Sequence, residues 1–229
     1  MEVTVTDTIH DAELLQATLA KQVITHNEFN SINTVAGVDV AYHEQSNQVV
    51  GAISVLDANT LELLETQISI EEISIEEISF PYVPGLFSFR ELPPLLNAFE
   101  KLTIKPDLIV CDGHGIAHPR RFGLACHLGV TLNLPTIGCA KTKLIGDFLP
   151  VEQTRGQMSD LLINEDVVGK VLRTQHNVKP VFVSIGHKIS LDTAVDWVLK
   201  LSPKYRLPET TRQADQLVNK TLKSKLELT

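Results

Sequence analysis

The sequence predicts an α/β fold with a mixed central sheet and helices on both faces. Three consecutive strand-like segments follow an N-terminal helix-like segment, and each of the next two strands follows a helix-like segment. LIVC at 108–111 is apolar throughout, which is typical of a strand buried on both faces. Since helices have to cover both faces of such a strand, the order β-β-β-α-β-α-β indicates a sheet between two helical layers.

The chain begins with a helix and an antiparallel meander. Residues 11–23 place Leu14, Leu15, Leu19 and Val23 on one helical face, which we expect to be buried. Three segments with strand-like alternation and short polar connections come next. We predict that they form strands at 34–42, 48–57 and 61–70.

The helix predicted at 91–102 has two possible starting points. Ser88 and Glu91 match a capping box, but in that register the prolines at 93–94 would fall inside the helix, where their missing N–H groups leave carbonyls unpaired. A start near Leu92 puts the prolines in the first turn instead. We therefore expect Glu91 to lie at the helix entrance, free to reach a site.

The remaining elements follow from apolar runs and helical spacing. Strand 105–112 is expected to lie parallel to strand 34–42, and Ser190 is a suitable N-cap. The last helix is expected to be exposed. No Pro-, Gly- or Ser-rich linker interrupts the chain, so we predict one domain over residues 1–229. The predicted strands are 105–112, 134–140, 167–175 and 179–186, and the helices are 120–133, 190–202 and 209–227.

Composition narrows the functional classes. No apolar run approaches the roughly 18 residues of a membrane span, and the N-terminus lacks the features of a secretory signal. Three cysteines in apolar settings favour free thiols, so we expect a cytoplasmic protein, and we expect it to be monomeric. The net charge of −8 argues against a dedicated nucleic-acid binder, although Arg120 and Arg121 can form a local basic patch.

Carboxylates in three separate segments are candidates for a metal site. Asp39 interrupts the apolar strand VAGVDVAY, where a buried carboxylate needs a partner or a metal; alternatively it faces solvent. Asp112 ends a strand, and Asp-Gly there also suits a turn. With Glu91 they could hold Mg²⁺, a hard cation that takes oxygen ligands. Lys141 could balance phosphate charge and His187 could relay a proton, unless both are ordinary loop residues.

Zinc is an alternative reading of the stretch DGHGIAHPRRFG. His114, His118 and His127, with Asp112, supply enough ligands for a tetrahedral site. The first two histidines lie in a proline-containing turn, however, and not on a helix that would align them. The sequence therefore favours a magnesium site built from the carboxylates over a zinc site built from the histidines.

The motifs resemble those of one family, the endonuclease V (deoxyinosine 3′-endonuclease) family. The resemblance spans about 35–215 and is most specific in PYVPGLFSFRE and DGHGIAHPRR. The matching segments, in family order, are VAGVDVAY, PYVPGLFSFRE, DGHGIAHPRRFGLACHLG, GCAKTKL, VFVSIGHKISL and YRLPETTRQAD.

The resemblance implies a ribonuclease H-like fold and a set of site residues. It implies cleavage of the second phosphodiester bond 3′ to deoxyinosine in DNA, with Mg²⁺ as cofactor and Mn²⁺ as a substitute. Glycines 85 and 113 would let the backbone approach an extruded base, and the arginines would contact phosphate. The implied residues are Asp39, Glu91 and Asp112 as metal ligands, Lys141 and His187 as ancillary catalytic residues, Tyr82 as a wedge, Gly85, Phe87 and Gly113 as base pocket, and Arg120 and Arg121 as phosphate contacts.

Two other functions remain open at the level of sequence. The same site could act mainly on inosine-containing RNA. A non-catalytic binder of inosine or of distorted nucleic acid is the third possibility, and the intact carboxylate set argues against it.

Overall fold

The computed structural model describes residues 9–43, 48–72 and 85–226. In these residues five helices surround one eight-stranded mixed sheet, which confirms the predicted fold class. The helices are α1 (Ile9–Ala20), α2 (Ser88–Glu100), α3 (Leu124–Leu132), α4 (Leu191–Leu201) and α5 (Glu209–Leu226). The strands are β1 (Thr34–His43), β2 (Gln48–Asp57), β3 (Leu63–Glu72), β4 (Leu108–Cys111), β5 (Thr136–Ala140), β6 (Met158–Ile163), β7 (Asp166–Leu172) and β8 (Val181–His187).

The sheet has the strand order β3-β2-β1-β4-β5-β8-β7-β6. The predicted meander is confirmed, since β2 pairs antiparallel with both β1 and β3. The predicted parallel pairing of β1 with β4 is confirmed too, with Val38 opposite Cys111. β6 was missed by the sequence analysis. It lies at the edge of the sheet, and only Leu161 among its residues is fully buried, so its hydrophobic pattern is weak.

Helices cover both faces of the sheet, as predicted. On one face α2 and α3 pack over β1, β2 and β4, and Leu95 and Leu128 are fully buried there. On the other face α4 packs over β7 and β8, and α5 packs over β1 and β2. Gly37 permits the close approach of α5, because a Cβ there would lie 2.1 Å from the carbonyl carbon of Thr210. In the described residues no helix is long and apolar enough to cross a membrane.

Three sequence-based expectations about helices are wrong. The buried residues of α1 are Ala12 and Gln16, whereas Leu14 is 53% exposed, because the helix is held by a polar contact rather than by a leucine stripe. α2 begins at Ser88 and keeps both prolines inside it. α5 is not an exposed tail: Ala214 and Val218 are buried against the sheet.

Candidate active site

The fold brings three predicted carboxylates to one end of the sheet. Asp39 lies in β1, and Asp112 directly follows β4, its parallel neighbour. The backbone N–H of Asp112 donates to the carbonyl of Val38 at 3.5 Å, so Asp112, just past the end of β4, lies level with Asp39 within β1. Glu91 lies in the first turn of α2, where it still reaches the site although the helix begins three residues earlier than expected.

Burial and mutual repulsion both act against ionisation of these carboxylates. Burial, followed by the charge of Asp112, raises the pKa of Asp39 to about 7. Burial, followed by the charges of Asp39 and Asp112, raises the pKa of Glu91 to about 7. Desolvation and like charges both disfavour ionisation, so positive charge is needed nearby for all three carboxylates to be ionised.

Lys141 supplies part of that charge and connects the cluster to α5. It follows β5, and its Nζ lies 2.5 Å from Oδ2 of Asp112 and 3.7 Å from Oδ1 of Asp215. Burial acts to lower the pKa of Lys141, but the hydrogen bond and charge of Asp112, with the charges of Asp39 and Asp215, raise it overall. The side chain is therefore a fixed ammonium group beside the carboxylates.

Asp215 is a site residue that the sequence analysis missed. Its charge also acts on Asp39, which lies on the same face of β1 as Gly37, the point where α5 packs closest. A signal was present: Asp215 falls at helical spacing between the buried residues Thr211 and Val218. An acid on the inward face of a helix needs a partner.

The donor set fits a divalent metal ion. Carboxylate oxygens are the ligands that Mg²⁺ prefers, and a dication would offset the burial and the repulsion that together raise the pKa of Asp39 and of Glu91. Across residues 9–43, 48–72 and 85–226, no three His, Cys, Asp or Glu side chains are already close enough to hold a metal. The ammonium of Lys141 lies against Asp112 in this arrangement.

The histidines do not form the alternative zinc site. Nε2 of His114 lies 3.1 Å from the carbonyl of Thr142, and Nδ1 of His118 accepts from the backbone N–H of Arg120 at 3.2 Å. His127 is buried elsewhere, with Nδ1 3.1 Å from the hydroxyl of Ser88. Each ring is engaged by a different partner, so the described residues do not favour the zinc interpretation.

A cleft of about 250 Å³ opens beside the carboxylates. The predicted base-pocket residues Gly85, Phe87 and Gly113 all line it, as do Glu91 and Asp112. Gly85 has φ +94°, which favours glycine, so the chain can turn sharply at the wall of the cleft. The predicted wedge residue, Tyr82, lies outside the described residues.

The two arginines predicted to contact phosphate are differently placed. The guanidinium of Arg120 donates to Oε1 of Gln16 at 2.5 Å and to the carbonyl of Gly85 at 3.2 Å, and it pairs with Glu13 at 3.1 Å. Three of its N–H groups are thereby engaged by α1 and by the cleft wall, and its phosphate contact stays a prediction. Arg121 pairs at 3.1 Å with Asp166, which is largely exposed and therefore only weakly held.

His187 is not brought to the carboxylates, which corrects its predicted catalytic role. It is the last residue of β8 and pairs with Thr136, the first residue of β5. Lys141 follows the other end of β5, about 16 Å away at the usual rise per residue. The Nδ1 of His187 instead accepts the backbone N–H of Ile24 at 3.2 Å, a contact that fastens the segment after α1.

Comparisons with known proteins agree with this architecture. A family model described as Endonuclease V matches residues 17–216. Endonuclease V of Rippkaea orientalis is 49% identical over 211 residues, which cover 92% of this chain and 90% of that protein. The crystal structure of Endonuclease V from Streptomyces avermitilis has a TM-score of 0.91 and 46% identity, covering 99% of this chain and 98% of that chain.

Two further solved structures bear on substrate and fold. Ciona intestinalis Endonuclease V, in complex with a 24mer DNA containing an inosine followed by a ribo-adenosine, has a TM-score of 0.82 and 28% identity, covering 96% of this chain and 99% of that chain. Argonaute from A. aeolicus has a TM-score of 0.51 and 13% identity, in a match that covers 83% of this chain and 29% of that chain, and it shares the fold alone. The ribonuclease H-like fold class is thereby confirmed.

Proposed function

Because the chain belongs to the endonuclease V family, and is therefore a phosphodiester-hydrolysing nuclease, we propose that its substrate is deoxyinosine-containing DNA. Cleavage falls at the second phosphodiester bond on the 3′ side of the lesion and leaves 3′-hydroxyl and 5′-phosphate ends. The observation that carries this proposal is one cleft that is lined both by Gly85, Phe87 and Gly113 and by Glu91 and Asp112. A base bound by Gly85, Phe87 and Gly113 would bring the phosphate backbone of its own strand close to Glu91 and Asp112.

The carboxylates are proposed to bind the metal on which the family depends. Asp39, Glu91 and Asp112 would hold Mg²⁺, whose chemistry is to activate water and to neutralise phosphate charge. Asp39 and Glu91 have to be deprotonated to do so, and without metal each has a pKa of about 7. Metal affinity should therefore rise with pH through the neutral range.

Lys141 is proposed to hold positive charge beside the scissile phosphate. Its raised pKa keeps it protonated at neutral pH, and Asp112 and Asp215 contact its ammonium from two sides. A lysine held in this way can donate a hydrogen bond to a phosphate oxygen without first having to be ordered.

The cleft is proposed to receive a base turned out of the helical stack. An enzyme that reads hypoxanthine has to extrude the base and contact its Watson–Crick edge. Gly85 and Gly113 would permit close backbone approach, and the ring of Phe87 offers an apolar contact. Tyr82 is proposed to stack in the vacancy, a contact worth roughly 1–3 kcal/mol.

Cleavage of a duplex oligonucleotide with a single deoxyinosine tests the proposal. We expect a nick at the second bond 3′ to the lesion with Mg²⁺ or Mn²⁺, and none with EDTA. Asp39→Asn should abolish it, whereas Asp196→Asn, an exposed aspartate on α4, should cut normally. Failure of the wild type to cut, or full activity of Asp39→Asn, would refute the assignment.

Inosine-containing RNA is the second candidate substrate. The Ciona protein was crystallised on DNA whose inosine is followed by a ribonucleotide, which motivates the comparison. DNA and RNA oligonucleotides of one sequence, with and without a single ribonucleotide 3′ to inosine, distinguish the two activities. A higher kcat/KM on RNA would make this chain primarily a ribonuclease.

A further inference from the structure

We propose that Gln16 is a positioning residue for base recognition, acting through the carbonyl of Gly85. Gln16 lies on α1, which none of the site residues discussed above occupies. It touches no residue of the carboxylate cluster, and its effect would be to hold one wall of the base cleft. The inference rests on the proposed recognition of inosine.

The amide of Gln16 is fully buried and bonded on both sides. Its Nε2 donates to the carbonyl of Gly85 at 2.7 Å and to the carbonyl of Phe122 at 3.0 Å. Its Oε1 accepts from Nε of Arg120 at 2.5 Å. Both amide hydrogens are used, so the side chain has one defined orientation.

The carbonyl of Gly85 is the point on which several donors converge. Besides Gln16, Arg120 donates to it at 3.2 Å. His118 also hydrogen-bonds the backbone of Gly85, and its tautomer is determined because Nδ1 accepts the backbone N–H of Arg120. The peptide plane after Gly85 is therefore fixed, and in a trans peptide the N–H of Leu86 points opposite to that carbonyl.

This arrangement explains why α1 packs on a polar residue. A helix whose buried residues are Ala12 and Gln16 gains little from apolar contact. What α1 contributes is a buried amide that joins the cleft wall at Gly85 to the turn at Arg120 and Phe122. Arg120 is held in the same network by Glu13, one turn before Gln16 on α1. Arg120 thus contacts the cleft wall directly, through the carbonyl of Gly85.

Gln175 provides a matched control. Gln175 is partly buried, and its Nε2 also donates to two backbone carbonyls, of Ser202 at 2.8 Å and of Tyr205 at 3.1 Å, but neither of those residues lines the cleft. Changing either glutamine to glutamate removes two amide donors and places an acceptor against two carbonyls. The two variants therefore share the chemical change, but only Gln16 is bonded to the carbonyl of a residue that lines the cleft, Gly85.

Single-turnover cleavage of the deoxyinosine duplex, with enzyme concentration varied, separates binding from chemistry. For Gln16→Glu we expect the half-saturating enzyme concentration to rise about tenfold, the size of a lost hydrogen bond. The Mg²⁺ dependence, and the affinity for unmodified DNA of the same sequence, should not change. Gln175→Glu should match the wild type in all three measurements.

The outcomes are distinguishable. The inference is overturned if Gln16→Glu leaves the half-saturating enzyme concentration within about twofold of the wild type. It is also overturned if the variant loses affinity for unmodified DNA by the same factor as for the deoxyinosine duplex. If Gln16→Glu does not fold, Arg120→Lys, which keeps the charge but loses the forked contact with Gln16 and Gly85, decides by the same criteria. A wild type that does not cut inosine overturns the proposed function itself.

Discussion

Replacing Asp39 with asparagine should stabilise the metal-free protein at pH 8. A rise in pKa from the usual 3.8 to about 7 means that the folded state holds a proton which the unfolded state releases. Folding stability therefore falls as pH increases between these values, and the loss is complete above the folded pKa. The full shift corresponds to about 4 kcal/mol. Because Asp39 is partly exposed and coupled to its neighbours, we expect about 2 kcal/mol.

Thermal unfolding in EDTA at several pH values between 5 and 9 measures this effect. For a chain of this size, about 2 kcal/mol corresponds to a rise in Tm of roughly 4–8 °C for Asp39→Asn at pH 8. At pH 5, which is still above the unfolded pKa of 3.8, the difference should shrink to roughly a third of its value at pH 8. Mg²⁺ should stabilise the wild type more at pH 8 than at pH 5, and should not stabilise the variant.

Asp196→Asn is the control, because this exposed aspartate of α4 should shift Tm at neither pH. A stability difference that does not depend on pH would refute the electrostatic argument. So would an Asp39→Asn variant less stable than the wild type at pH 8, since the carboxylate would then be favourably partnered without metal.

Three further predictions concern the ammonium, the packing of α5 and a helix cap. Lys141→Met should slow single-turnover cleavage about a hundredfold; a loss below threefold would deny the ammonium a catalytic role. Gly37→Ala should cost at least about 2 kcal/mol in urea unfolding, because its Cβ would lie 2.1 Å from backbone atoms of Thr210, and an unchanged midpoint would contradict that packing. Ser190→Ala should cost about 1 kcal/mol, since Ser190 Oγ accepts from the Thr193 N–H at 3.3 Å; cleavage should not change.

The local sequence was enough to predict most elements and three of the carboxylates. Strong alternation or continuous apolar runs mark β1, β2 and β4, and these strands lie within a few residues of their predicted positions. Asp39 and Asp112 could be predicted together, because their two strands were expected to be parallel neighbours at the centre of the sheet. The motifs also predicted the family, which the comparisons confirm.

The error at His187 shows where local reasoning stops. A histidine at the end of a strand reaches the carboxylates only if that strand runs parallel to β4 and β5. β8 runs antiparallel to β5, so its last residue lies at the opposite edge. Strand direction depends on the path of the connecting chain, and no pattern within VSIGHK encodes it.

The sequence by itself determined which residues could form strands, helices and a carboxylate site, because those properties depend on side-chain chemistry and near neighbours. Only the tertiary structure decided that Asp215 joins the cluster and that Gln16 and Arg120 hold Gly85. The physical reason is that a buried polar group takes whichever partner folding brings to it. Gln16 and Gly85 are 69 residues apart in the chain and 2.7 Å apart in the structure.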